Sequence, residues 1–325
     1  MKFTVAAALA LVVGAAPALA QEKVTYNMAW LPQGSSIGVI VAQDKGYFKE
    51  AGLDTSIVRG YGGNRTANEL DQGQFEFGYV DPISLILNRS NGGKIKMIGA
   101  INTRWPAGVC YVTKRNTVKT IDDLKGLTLG GGAGSPVHNV VPAWLEMNGK
   151  PRDFIKLVRL DPAVVDASFM EGKTDLAECW QASNRPVLAK LASAAGVQVA
   201  WLSYADFGLN AYGSGFATRD ELIAKKPQVV RNFLKASYRG FQDAFRNPEQ
   251  AADIVVKMFP ASDRGIILAQ IKETADIMDD PQARKEGLGY LREDRMASTL
   301  SFVDKAYDVK GKVKLQDIYT NAFLK

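Results

Sequence analysis

From residue 24 to about residue 200 the chain alternates short β-like runs with helical patterns, and this constrains the fold more than any other feature. The candidate strands are VTYNMA (24–29), DTSIV (54–58), FEFGYV (75–80), KIKMIGA (94–100), GVCYVT (108–113), LTLG (127–130), IKLVRL (155–160), TDLAECW (174–180) and VQVAWL (197–202). Strands separated by helices cannot pair as hairpins. They imply βαβ units and mostly parallel sheets. After residue 216 the texture changes, and residues 219 to 325 read as consecutive helices with no strand alternation.

Three helix starts share one chemistry. Asp81-Pro82, Ser135-Pro136 and Asp161-Pro162 each place a capping side chain before a proline suited to the first helical turn. Behind Ser135, residues Val137, Val140, Val141, Trp144 and Leu145 form one apolar face, which Asn148-Gly149 ends and Pro142 should kink. The chain also echoes itself at an offset of 99 to 100 residues. GQFEFGYVD (73–81) aligns with GKTDLAECW (172–180), and Gly34-Ser35 aligns with Gly134-Ser135. The echo suggests two α/β lobes of similar plan.

The first twenty residues, MKFTVAAALALVVGAAPALA, have an early lysine, an apolar run and an Ala18-Leu19-Ala20 end. This is the pattern of a secretory signal cleaved after Ala20, which places the mature chain in the periplasm. The formal net charge of +6 is spread along the chain, with no dense basic run to suggest a nucleic-acid partner. Export permits a disulfide between Cys110 and Cys179, but both lie in apolar strand-like runs where buried free thiols are common. Spacing decides neither.

LTLGGGAGSPVHN (127–139) looks like a phosphate cradle. It lacks the lysine of a nucleotide-binding P-loop and the third small residue of the dinucleotide fingerprint. What remains is a glycine turn before a helix N-terminus, which favours an anion. His138 is the one histidine, with no G-x-S-x-G or H-E-x-x-H beside it. A hydrolase triad and a catalytic zinc site both lack their usual residues, and no metal or cofactor is expected. Open α/β sheets bind ligands at strand C-terminal ends. That rule nominates Trp30, Gln33 and Ser35 after the first strand, Asn64 and Arg65 after the second, and Asp81 after the third. It adds Arg104 and Trp105 where the chain leaves the first lobe, Ser135 and His138 at the glycine turn, and Trp180 and Gln181 at the place equivalent to Asp81. Aromatics with a few arginines, amides and hydroxyls suit a small organic ligand with an anionic end.

The motifs WLPQ (30–33), AQDKGYF (42–48), AGLD (51–54), GGN (62–64), GQFEFG (73–78) and IDDLKG (121–126) occur in the order found in one family. The chain resembles the periplasmic substrate-binding proteins of ABC importers in the nitrate, sulfonate, taurine and thiamine-pyrimidine group. The resemblance implies a two-lobed periplasmic-binding-protein (type II) α/β fold. Residues 21–104 and 216–325 would form lobe I with the C-terminal helices, and 105–215 lobe II, with crossovers near 101–107 and 211–218. It implies a non-enzymatic, monomeric protein that traps ligand by hinge closure and delivers it to a permease with its ATPase. Ser35, Asn64, Arg65, Arg104 and Ser135 fit the anion-holding role of the sulfonate and nitrate binders, with Trp30, Trp105 and Trp180 walling the organic part. In the alternative reading the ligand is a thiamine-precursor pyrimidine or similar heterocycle whose ring amines pair with Asp81 and Glu178. The related pyrimidine synthases use a reactive histidine and a cysteine-rich motif, and no cysteine cluster is present here.

Overall fold

A computed structural model describes residues 21–324. The signal-sequence expectation for residues 1–20 lies outside them. The first sheet contains β1 (Glu22–Asn27), β2 (Leu53–Val58), β3 (Phe77–Val80), β4 (Ile95–Ala100) and β10 (Gly215–Arg219), in the order β2-β1-β3-β10-β4. The second contains β5 (Ala107–Val112), β6 (Thr128–Gly132), β7 (Lys156–Leu160), β8 (Leu176–Trp180) and β9 (Val199–Ser203), in the order β7-β6-β8-β5-β9.

All nine strands read from the sequence are present within a few residues of their expected bounds. The tenth, β10, is the exception. GFATR lies in the crossover region and at the head of the helical stretch, and its five residues have too little alternation to announce a strand. It pairs antiparallel with β3 and β4, while β1 pairs parallel with β2 and β3. In the second sheet β5 pairs antiparallel with β8 and β9, while β6 pairs parallel with β7 and β8. Each sheet therefore has four strands in one direction, and the strand that enters from the other lobe runs against them.

The internal echo is a real structural repeat. β3 and β8 occupy the same place in their sheets, and the glycines that open the two matched segments, Gly73 and Gly172, both have φ of 79°. That left-handed turn is cheap only for glycine. The chain passes between lobes from β4 to β5 and back from β9 to β10. The two crossovers are hydrogen-bonded to each other: Asn102 N–H donates to Ser214 O at 2.8 Å, and Gly213 N–H donates to Asn102 O at 3.1 Å.

Of the helix starts, Asp81 accepts from Ser84 N–H and Asp161 from Ala163 N–H, as capping requires. Ser135 differs, because helix Val137–Met147 begins two residues later with Pro136 as its N-cap residue. The Ser135 hydroxyl accepts Val137 N–H at 3.2 Å and donates to the buried Glu178 carboxylate. Pro142 lies inside that helix, which continues through it to Met147.

The C-terminal helices cover the first sheet and then reach across. Helix Pro227–Arg246 is strongly amphipathic and packs on helix Ile37–Asp44. A Cβ built on Gly240 would stand 1.9 Å from Gly38 O, so the two backbones touch there. Phe233 of the same helix stacks on Phe77 of β3 with centroids 3.8 Å apart. Helix Arg264–Met278 contacts helix Asn184–Ala194 of the second lobe. Tyr307, at the end of helix Glu293–Tyr307, donates to Asn139 O of the second lobe. Cys110 on β5 and Cys179 on β8 form a disulfide, with Cα atoms 5.4 Å apart.

Candidate functional site

A cavity of about 650 Å³ lies between the lobes. That is the size of sites for drug-sized ligands. Residues after β1 contribute Trp30, Leu31, Pro32, Gln33 and Ser35, and residues in and after β3 contribute Tyr79 and Asp81. Asn102 and Ser214 line it from the crossovers. From the second lobe come Ser135, Asp166, Glu178, Trp180, Gln181 and Asn184. Most of these positions are strand C-terminal ends, as the sheet rule requires.

Glu178, buried in the middle of β8, organises the second-lobe wall. Its Oε1 accepts Gly132 N–H at 2.7 Å, and its Oε2 accepts the Ser135 hydroxyl and Trp180 Nε1–H, the latter at 3.1 Å. Burial pushes its carboxyl above the ordinary glutamate value, against the pull of those three donors. Asp81 is equally buried and also raised by desolvation, with Ser84 N–H and the Ser84 hydroxyl on its oxygens. Asp166 is raised for the same reason and is less occupied. Its Oδ1 accepts Asn184 Nδ2–H at 2.8 Å, and no donor among the described residues meets Oδ2.

The glycine turn is a poor cradle for an anion, because three of its amides are already spent. Gly132 N–H goes to Glu178, Ala133 N–H to Leu160 O, and Ser135 N–H to Gly132 O. His138 Nε2 lies 3.0 Å from Gly132 O and must donate to it. Burial, then Arg159, holds this histidine below its ordinary value and thus neutral, and it does not line the cavity. The glycines instead make room. A Cβ on Gly132 would lie 3.0 Å from Trp30 Cη2, so the indole of the first lobe rests on the turn of the second.

The expected site residues divide. Trp30, Gln33, Ser35, Asp81, Ser135, Trp180 and Gln181 all line the cavity. Asn64 lies just behind, accepting from the Ser84 hydroxyl and donating to Ser135 O at 3.4 Å across the cleft. Arg65 is turned outward, paired with Glu69 at 2.6 Å, with its guanidinium 4.9 Å from the Tyr61 ring centre. Arg104 pairs with Asp276 at 2.7 Å and is half exposed, so no anion clamp forms inside. Trp105 is core, buried beneath Trp180 with ring centres 5.6 Å apart. The arginines leave the cavity for a simple reason: each finds a carboxylate at the solvent boundary, where a guanidinium keeps its hydration.

Sequence reasoning missed the fourth wall. Met258 to Asp263, with Ile266, Ile267 and Gln270, closes the cavity from the helical layer. The Asp263 cap was legible as a helix start, but nothing local says that this loop folds over the cleft. Asn102 was within reach, since it follows β4 as Asp81 follows β3. The lobes are also latched at the cavity wall and beside it. Gln33 accepts from the Ser183 hydroxyl, Gln270 Nε2 donates to Ser183 O at 2.6 Å, and Arg185 pairs with Glu273 at 2.6 Å. Two of the three non-glycine residues with positive φ among the described residues, Ala29 at 60° and Ala182 at 62°, flank the cavity, one in each lobe. Such strain is held only where surrounding contacts over-determine it.

Known proteins of this shape place the chain. The alkanesulfonate-binding protein SsuA of Xanthomonas axonopodis pv. citri, solved bound to MOPS, superposes with a TM-score of 0.69 at 16% identity, over 93% of this chain and 99% of that one. A riboflavin-binding protein, RibY of Chloroflexus aurantiacus, is 27% identical over 312 residues, covering 93% of this chain and 86% of its own length. The 4-amino-5-hydroxymethyl-2-methylpyrimidine phosphate synthase THI5 of Saccharomyces cerevisiae is 25% identical over 244 residues, 72% of this chain and 70% of its own length. The fold is that of a periplasmic binding protein. The NMT1/THI5-like family model matches residues 33–251, more than half the chain, and the protein belongs to that family.

Proposed function

We propose that the chain is the exported solute-binding component of an ABC importer for a flat, nitrogen-rich heterocycle. The lobes close on the ligand and present it to a membrane permease with its ATPase, and the protein acts as a monomer without catalysis. One observation carries the ligand class. The cavity is walled by two indoles and by Asp81, Asp166, Glu178 and Asp263, and among the described residues no Lys, Arg or His lines it. An organic anion would enter a site with no cation to meet it, at a heavy desolvation cost. A neutral or cationic heterocycle stacks between indoles and offers ring N–H groups to carboxylate oxygens. Asp166 is the best-placed acceptor, because Asp81 and Glu178 already hold internal donors.

Two relatives support this class by name, one for riboflavin and one for a pyrimidine phosphate. The neutral His138, held on Gly132 away from the cavity, supports binding rather than turnover. A thermal-shift screen tests the reading, since a ligand of the native state raises apparent stability by mass action. Riboflavin or 4-amino-5-hydroxymethyl-2-methylpyrimidine should raise the melting temperature, and MOPS, taurine and nitrate should not. Stabilisation by a sulfonate alone would return the ligand to the anion class.

A further inference from the structure

At the crossovers the cavity floor is built of neutral hydroxyls and an amide. Tyr79, Asn102, Ser35 and Ser214 all line it, and all are buried. Asn102 Nδ2 donates to the Tyr79 hydroxyl at 2.7 Å, and the Ser35 and Ser214 hydroxyls lie against the same oxygen. Gln33 Nε2 donates to Ser35 Oγ at 2.9 Å. Asn102 is 2% exposed, yet its Oδ1 has no hydrogen-bond partner. Whichever way the amide is turned, only one of its ends meets Tyr79. A buried polar atom left unmatched is costly, and such atoms in a native structure commonly await a partner. Elsewhere Trp30, Trp180, Val165, Val187, Phe259 and Ile266 supply flat or apolar wall between the four carboxylates.

We infer that the ligand carries a neutral hydroxylated tail, and that Asn102, Tyr79, Ser35 and Ser214 form the subsite that binds it. This rests on the heterocycle reading above. Hydroxyls both donate and accept, so a polyol can meet a floor of hydroxyls and amides where a carboxylate or ammonium would leave one partner unmatched. The floor straddles both crossovers, since Asn102 follows β4 and Ser214 precedes β10. A tail bound there touches the two segments about which the lobes turn.

The test compares riboflavin, which has a ribityl tail, with lumichrome, which keeps a similar tricyclic ring without it. Calorimetry on the full mature protein should give riboflavin an affinity roughly tenfold above lumichrome, the worth of one or two hydrogen bonds. Asn102→Ala should narrow that preference, costing riboflavin several-fold more affinity than lumichrome. Ser214→Ala supplies a second, smaller truncation if Asn102→Ala melts below the wild type, and it should shift the preference in the same direction. Equal affinity for the two compounds, or variants that weaken both alike, would overturn the tail subsite while leaving the heterocycle reading standing. Binding of neither compound would overturn the tail subsite, and the heterocycle reading would then stand or fall on the pyrimidine in the thermal-shift screen.

Discussion

Gly62 and Gly134 meet backbone to backbone across the cleft. A Cβ on Gly62 would lie 2.3 Å from Gly134 O, and one on Gly134 would lie 2.4 Å from Tyr61 O. Neither distance can be relieved by turning a side chain, because both obstacles are carbonyl oxygens. The two glycine turns are therefore one place where the lobes touch, and glycine is required at Gly134 for closeness rather than for conformation. Gly134→Ala should leave each lobe folded, with a melting temperature near the wild type in the absence of ligand. It should weaken ligand binding by roughly 1–3 kcal/mol, the usual cost of an overpacked contact. Calorimetry with scattering measures both parts: the variant's radius of gyration should fall less on adding ligand. Unchanged affinity and full compaction would show that closure does not need this contact.

Asp166 makes a prediction about pH. Burial holds its carboxyl above the ordinary aspartate value of 3.8. The folded state thus binds the proton more tightly than the unfolded chain, and the group's contribution to stability falls as pH rises through that interval. Asp166→Asn removes the titration while keeping a partner for Asn184. Below pH of about 3.8 variant and wild type should melt together, and the variant should gain on the wild type as pH rises from there to the raised value, then hold a constant lead above it. Melting curves of the two proteins at steps between pH 3.5 and 7.5 measure the difference directly. A variant that loses ground with rising pH would mean that the Asp166 charge is stabilised, contrary to its surroundings.

Much of this architecture was legible in the sequence, and the exceptions have physical causes. Nine strands announced themselves because buried strands in βαβ units are apolar runs bounded by turn residues. β10 did not, because five residues beside a crossover are held by partners on both sides rather than by their own pattern. The repeat was visible because Gly73 and Gly172 each need a left-handed turn at the same place. The site was half legible. Strand ends gave Trp30, Asp81 and Trp180, because topology fixes where strands end. Arg65 and Arg104 misled, because a cation that looks available in sequence had found Glu69 or Asp276 in space. The glycine turn misled in a second way. Its amides suited an anion until Glu178, 46 residues away from Gly132, claimed one of them.

The Cys110–Cys179 disulfide ties β5 to β8 and closes a loop of 69 residues. A loop of that length restricts the unfolded chain by about 4 kcal/mol on the chain-entropy account. For a protein of this size that is about 6 °C in melting temperature. The double variant Cys110→Ala/Cys179→Ala should melt lower by that order and bind ligand with near wild-type affinity, since neither cysteine lines the cavity. A melting scan of the double variant, with the wild type under reducing conditions beside it, checks the size. No change in either would argue that the thiols are free in solution.

Trp180 and Arg104 separate the two ligand classes most sharply. Trp180 lines the cavity, its indole held by Glu178 on one side and by Trp105 beneath. If an aromatic ring lies against it, Trp180→Ala should cost about 2 kcal/mol or more in binding, as central aromatic anchors do. Arg104 belongs to an exposed pair with Asp276 at the rim, and exposed pairs contribute at most about 1 kcal/mol. Arg104→Ala should therefore change affinity by less than that, and added salt should change wild-type binding little. Under an anion clamp the order reverses: Arg104→Ala would abolish binding and Trp180→Ala would only weaken it. Calorimetric titration of both variants with the best ligand from the screen, repeated at low and high salt, decides between these orders.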